Sequence, residues 1–281
     1  MKSKILFVIS SLVLASMACG FQANLPAMKT PGPDKTDQIS AVVPEGDINL
    51  NISFSAGNLS LSPGAKDLFE GTATYNIADL KPEIKINNGN VDLSQGQYQV
   101  TGIPSLSGIK NDWKLKLGSV PMSLSLNAGA YEGNFDFGGL SIKNLTINDG
   151  ASKITADFSS PNHEKLNIFS YKTGASNVTL KNLGNANFSN MVFESGAGNY
   201  TLDFNGGLQR DANVNIRSGM SNLTLTIPTG IPATVKVSSG LSNVQFPASW
   251  NHNGDNYTQP GEGPILTILV EMGAGNVQIN Q

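Results

Sequence analysis

The sequence predicts an all-β protein: a single-stranded, right-handed parallel β-helix or solenoid, preceded by a smaller, irregular β domain. Three observations carry that expectation. A glycine recurs at 129, 150, 174, 196, 219, 240 and 273, at intervals of 21, 24, 22, 23, 21 and 33 residues. On either side of each glycine, apolar residues alternate with Thr, Asn, Ser and Gln at the period of a strand. No window of residues 46–281 has helical spacing. A fixed period of this size marks a stacked repeat, because a single coil cannot cover its own apolar face.

Residues 1–18 open with Lys2 and Lys4, continue through an apolar stretch from Ile5 to Ala15 and end in small residues. This is the pattern of a secretory signal peptide, and it is too short to span a bilayer. Leu14-Ala-Ser-Met-Ala-Cys19-Gly20 resembles the lipobox of bacterial lipoproteins, with Ser16 where leucine is usual. The resemblance implies lipid attachment at Cys19, the only cysteine in the chain. It also implies export, with the membrane as a partner through an N-terminal lipid anchor at the outer face of the bacterial cell membrane. One acyl chain holds a protein only marginally, so this reading requires the several chains of a mature lipoprotein. Residues 19–45 carry Pro26, Pro31, Pro33 and Pro44 among polar residues and read as a Pro-rich tether.

Residues 46–118 read as the irregular N-terminal β domain. Asn51–Leu61 has the form of a solenoid unit around Gly57, Leu68–Asn76 and Pro82–Leu93 read as strands around a turn, and Trp113–Leu117 closes the domain. Residues 119–281 form the regular array. Its inward pairs read as Leu166 and Ile168 before Gly174, Met191 and Phe193 before Gly196, Val214 and Ile216 before Gly219, Val235 and Val237 before Gly240, and Ile268 and Val270 before Gly273. Glycine at the corner tolerates positive φ and lets one corner lie close on the next. Asn177, Asn199, Asn222, Asn243 and Asn276 fall three residues after the glycine. Stacked, they would form an axial amide ladder or stabilise the turn; a ligand-binding row is the alternative.

The 33-residue interval interrupts this order with Pro247–Pro264, which contains Trp250, His252, Asp255 and Tyr257. Those four residues make a candidate contact loop, since recognition tends to sit on loops held by a rigid scaffold. A cap that shields the last coils is the other reading.

Little else in the chain suggests chemistry. One cysteine and two histidines, His163 and His252, cannot build a metal cluster. Asp136, Asp157 and Asp203 stand singly at strand ends. Gly240-Leu-Ser242 resembles half a nucleophile elbow, but Ser176 and Ser221 hold the same repeat position, which marks it as structural. No catalytic residue, cofactor or metal is therefore expected. A glycan-active enzyme would need carboxylates paired in space, which the sequence does not supply. Charged residues are only 14% of the chain. Without the signal peptide's two lysines, 16 basic residues face 21 acidic ones, and no basic run exists, so nucleic acid is not an expected partner.

The Gly-Ala-x-Asn coils resemble those of the toast-rack proteins, a bacterial envelope group, and are similar to the putative-adhesin β-solenoids and to the C-terminal domain of cell-wall-active-antibiotic response regulators. Leu68-Phe-Glu-Gly-Thr-Ala-Thr-Tyr-Asn-Ile-Ala-Asp-Leu-Lys-Pro82 resembles the toast-rack N-terminal domain, and Trp113-Lys-Leu-Lys-Leu-Gly-Ser-Val-Pro121 resembles its junction with the solenoid. Toast-rack corners usually carry an acidic residue where this chain has Asn. The resemblance implies a surface-attached solenoid and brings no catalytic residues with it. The expected function is thus a non-enzymatic cell-surface lipoprotein, with an envelope or extracellular protein or glycan as partner. An accessory role in the envelope-stress or cell-wall-antibiotic response is the alternative.

Overall fold

The computed structural model describes residues 31–95 and 108–281, so the signal peptide and Cys19 lie outside the described residues. Among the described residues there is no α-helix, and only two 3-10 turns, Ala78–Leu80 and Leu183–Ala186, stand between strands. The N-terminal strands are β1 (Lys35–Ala41), β2 (Ile48–Ala65), β3 (Phe69–Tyr75), β4 (Pro82–Asn87), β5 (Asn90–Gln95) and β6 (Asn111–Gly118). Long strands follow: β7 (Met122–Asp136), β8 (Ile142–Asp157), β9 (Ile168–Lys181), β10 (Asn190–Asp203), β11 (Ala212–Thr226) and β12 (Ala233–Gln245). The short β13 (Asn251–Asn253) and β14 (Asn256–Gln259) precede the last long strand, β15 (Leu266–Asn280).

Eight long strands stack in parallel in the order β2-β7-β8-β9-β10-β11-β15-β12. Each is two arms that meet at the recurring glycine or, in β2, at Ser55. In β10, Met191 and Phe193 are buried before the bend and Tyr200 and Leu202 after it, while Gly196 and Ala197 are both exposed. Two successive outward residues change the phase of the alternation, which keeps both arms facing the same core. The pairing records this directly: it runs from Ser195↔Ser218 to Ala197↔Met220 and skips the glycines.

The corner glycines are required by close approach, and positive φ plays no part at them. None of the seven recurring glycines has a positive φ. A Cβ on Gly174 would lie 2.4 Å from the Gly150 carbonyl oxygen, one on Gly196 2.7 Å from that of Gly174, and one on Gly219 2.8 Å from that of Gly196. The corners thus form an axial column in which each glycine rests on the carbonyl before it. Positive φ belongs instead to the second glycine of the Gly-x-Gly-Asn corners, Gly198 and Gly275.

Two sequence expectations shift by small amounts. In β9 the inward pair is Phe169 and Tyr171, aligned with Met191 and Phe193 of β10, and Ile168 is 54% exposed. The inward positions of the coil lie five and three residues before the glycine; Leu166 is buried ahead of the strand as expected, and Ile168 misses the spacing. The stack also begins earlier than residue 119. β2 is a full coil paired with β7 along both arms, with Ser55 in the place of the glycine.

The start of the stack is closed on both arms. β5 pairs with the first arm of β2 and is extended by β4, while β6 pairs with the second arm and is extended by β3 and then β1. β1 corrects the expected tether over 19–45, because Lys35–Ala41 is a strand with Ile39 and Ala41 buried. Its alternation contains only those two apolar residues, too few to stand out beside the prolines.

The far end departs from sequential order. β15, the last strand in sequence, lies between β11 and β12. Three features favour that order. Arg217 of β11 meets Glu271 of β15 at 2.9 Å, whereas the matching residue of β12 is Ser238. Asn276 donates to Asn222 at 2.8 Å. Leu266, Ile268, Val270, Met272, Val277 and Ile279 of β15 are all buried. The most apolar coil thus takes a position covered on both sides, and each such residue stabilises by roughly 1.5–3 kcal/mol when buried.

Candidate interaction surface

The second arms of the coils present the most regular outer surface. Asn199 Nδ2 donates to Asn177 Oδ1 at 2.8 Å, Asn222 to Asn199 at 2.9 Å and Asn276 to Asn222 at 2.8 Å. The ladder expected from sequence is therefore formed over these four coils. Two residues further along each strand, Thr155, Thr179, Thr201 and Thr224 align in register. The result is a face of ordered amides and hydroxyls from β9 to β15, with charge only at the strand ends, Lys181 of β9 and Asp203 of β10. On the first arms, charges collect in one alternating row: Lys172 meets Glu194 at 2.8 Å, Glu194 meets Arg217 at 3.5 Å, and Arg217 meets Glu271. The Lys172 hydrogen bond, and then the Lys172 and Arg217 charges, hold the Glu194 carboxyl below its usual value. The row is exposed and its contribution to stability small.

Inside the corner, between the arms, lies a closed polar knot. Tyr171 Oη donates to Asp149 Oδ2 at 2.8 Å and Tyr131 Oη to the same oxygen at 3.4 Å, while the Thr173 hydroxyl donates to Asp149 Oδ1. Thr173 is also 2.6 Å from Ser176, whose hydroxyl takes the Ser152 N–H at 2.9 Å. Burial first, and then charge, including that of Asp149, raise both phenols far above the ordinary tyrosine value. A pKa raised on folding stabilises fully below the unfolded value, near 10, and the benefit is lost as pH climbs towards the folded value. Of the six tyrosines, Tyr131 and Tyr171 should therefore form phenolate only as the β circular dichroism collapses. Complete phenolate formation with the β signal intact would show the knot to be open to solvent.

The segment 247–264 is built mainly as a cap. β13 and β14 form an antiparallel hairpin, and β14 runs antiparallel to Ala233–Lys236 of β12. Trp250 and Tyr257 are 4% and 7% exposed. That corrects their place among the candidate contact residues, because the core takes up both rings. Phe246, Tyr257 and His252 pack together, with centroids 4.8 Å apart for Phe246–Tyr257 and 5.0 Å for His252–Tyr257. Gln259 fastens the hairpin by donating to the carbonyls of Pro228 and Ile231 at 2.9 and 2.8 Å. Of the four residues, His252 and Asp255 remain at the surface.

Residues 32–181 match the family model for the N-terminal domain of toast_rack, DUF2154, which is more than half of the chain. The chain belongs to the toast-rack family. Among solved structures it is similar to one described as a "putative cell adhesion protein" from Clostridium sporogenes, at 21% identity and a TM-score of 0.53, over 89% of this chain and 100% of that one. A "putative adhesin" from Parabacteroides merdae aligns at 12% identity and a TM-score of 0.39, over 89% of this chain and 97% of that one. The first of these supports the fold. No curated protein matches the chain.

On this toast-rack stack, the residues weighed for chemistry have structural partners. Asp136 accepts the Gly138 N–H at 2.9 Å and the Ser159 hydroxyl at 2.7 Å, and Asp203 accepts the Asn205 N–H at 2.9 Å. Asp157 accepts from Asn182 at 2.7 Å. Asp136 and Asp203 secure the turns that leave their own coils, and Asp157 the turn that leaves the next one. Ser242 is hydrogen-bonded to Ser239, as Ser221 is to Ser218 at 2.8 Å. These are hydroxyl pairs across the corner. One Ser–His contact went unread in the sequence: Ser119 Oγ is 3.3 Å from His163 Nδ1. Its hydroxyl donates to the Gly139 carbonyl at 2.8 Å, which points the proton away from the imidazole that would have to remove it. Among the described residues, no three His, Cys, Asp or Glu side chains gather as a metal site.

Proposed function

We propose that this protein is a non-enzymatic lipoprotein of the bacterial cell surface, anchored through Cys19, that displays its solenoid to an envelope or extracellular partner. The observation that carries this is the amide and hydroxyl face of the second arms, with its hydrogen-bonded ladder Asn177-Asn199-Asn222-Asn276. Side chains so tied are pre-organised, and repeated groups at the strand spacing of about 4.8 Å suit a polar polymer or a sheet-like protein surface. Binding would then be the sum of many weak contacts along the stack. The fold shared with a structure named for cell adhesion supports the same reading.

Cys19→Ser should move the protein from the membrane fraction to the soluble fraction and abolish labelling by a radioactive fatty acid. Continued membrane association would remove the anchor from the proposal. For the display face, Thr179→Arg and Thr201→Arg together should prevent the purified protein from sedimenting with isolated cell envelopes, while Lys165→Glu, on an exposed turn, should not. Equal retention of both variants would sink the assignment of that face.

A further inference from the structure

Among the described residues the sheet has four free edges, and they are not protected alike. β1 carries Lys35 and Asp37; β4 begins with Pro82 and carries Glu83 and Lys85; β13 is only three residues long. These are the usual devices against unwanted strand pairing. The remaining edge is the second arm of β12. β14 covers β12 only over Ala233–Lys236, and one further bond joins Val237 N–H to the Asp255 carbonyl. From Ser238 to Gln245 the outer side has no strand against it among the described residues, and the segment contains neither a charge nor a proline.

That arm also lacks what completes every other coil. Val178, Tyr200, Leu223 and Val277 are each 1% exposed, whereas the equivalent Val244 is only half-buried. Leu241 is 80% exposed, at a position where β8, β9, β10 and β15 have alanine. Asn243 is the last residue of the amide column, and its carboxamide has no hydrogen-bond partner among the described residues. The core and the backbone ladder stop unfinished at this strand, and the side-chain ladder stops one strand before it, at Asn276.

We propose that this edge pairs with the same edge of a second copy of the chain, antiparallel across a twofold axis at Asn243. Opposed residues of an antiparallel pair share a face, so Asn243 then meets Asn243 of the partner subunit and each carboxamide gains the partner it lacks. On the same outer face Leu241 lies beside Gln245 of the partner subunit. On the inner face Ser242 meets Val244 of the partner subunit, and each valine gains the cover it lacks. The segment is neutral, so apposing it with itself creates no like-charge repulsion, which opposed β1 or β4 edges would risk. Because the start of the stack is closed by β4 and β1, such pairing ends at two copies and does not grow into a fibre. This goes beyond the proposed display function and does not depend on it.

The test uses the full chain purified in detergent, with the wild-type chain setting the background from Cys19. Sedimentation should show a dimer, and Asn243→Lys should weaken self-association by about tenfold or more, since two lysines would then face each other. Asn243 is exposed, so the variant should keep the wild-type circular dichroism. Asn243→Cys should give a disulfide-linked dimer under mild oxidation in intact cells, and Asn222→Cys, enclosed within the ladder, should not. A monomer at every concentration would overturn the proposal. So would a dimer that is insensitive to Asn243→Lys and lacks the 243 disulfide. Cross-linking of Asn243→Cys solely to a different protein would also overturn it, reassigning the edge to a foreign strand.

Discussion

Gly174→Ala should destabilise the protein by about 3 kcal/mol, the upper end of the range for inserting a single methyl into a packed structure. The new Cβ would stand 2.4 Å from the Gly150 carbonyl oxygen and 3.4 Å from its carbon. Neither can yield alone, because Gly150 is itself stacked on Gly129 and its coil is hydrogen-bonded on both sides. Relief requires lifting one coil from the next, which breaks ladder bonds and opens the core beneath. The series has a built-in gradient. Gly240, in the terminal coil, offers a Cβ 3.0 Å from the Gly273 carbonyl oxygen and has no coil beyond it, so Gly240→Ala should cost less. Gly207 has nothing within 4 Å and no positive φ, so Gly207→Ala should be neutral or slightly stabilising. Urea unfolding followed by circular dichroism measures all three. Equal losses at 174 and 207 would show that the column is not what demands glycine.

That gradient also explains which parts of the fold were legible. The period, the alternation and the Asn row are properties of one coil repeated, so residues close in sequence report them. The cause of the glycine is different. Its contact is with a residue more than 20 positions away, across the stack, and sequence alone suggests conformational freedom as readily as close approach. The slip at Ile168 has the same origin, since two apolar residues in alternation are visible in Leu166-Asn-Ile168 whether or not they face inward. Only the fixed distance to Gly174, set by pairing with β10, selects Phe169 and Tyr171.

The order of the last coils was hidden for a further reason. The 33-residue interval announces an excursion, and nothing local says that the chain returns on the inner side of β12. The information is present but distributed: Glu271 for Arg217, Asn276 for Asn222, and a fully apolar inner face on β15 against exposed Leu241 and half-buried Val244 on β12. Comparing whole coils for apolar content would have found it, because the coil with most to bury belongs in the middle. As for the candidate surface, the Asn ladder was legible by position. The two rings of the loop stayed open between two readings, because Trp and Tyr serve equally well as contact residues and as a lid.

Trp250→Ala should decide between those two uses of the ring. Truncating a buried tryptophan costs about 3–5 kcal/mol through lost burial and the cavity left behind. Here that cost should be paid locally. The ring is 4% exposed in the cap, whose hairpin covers only the first arm of β12. In a stacked array each coil contacts only its neighbours, so damage at one end need not spread through the whole. Amide hydrogen exchange should therefore quicken in β12, β13 and β14, with a smaller effect in β15, and remain slow from β7 to β10. Gln259 sharpens the expectation, since its bonds to Pro228 and Ile231 tie the hairpin to the turn that leads into β12. Once the ring is gone, that turn and the hairpin should loosen together. If exchange quickened equally in β7 and β12, the coils would be unfolding as one unit and the hairpin would not be a separate lid. If exchange were unchanged while adhesion to cell envelopes fell, Trp250 would be a contact residue after all, and its burial would describe only the unbound protein.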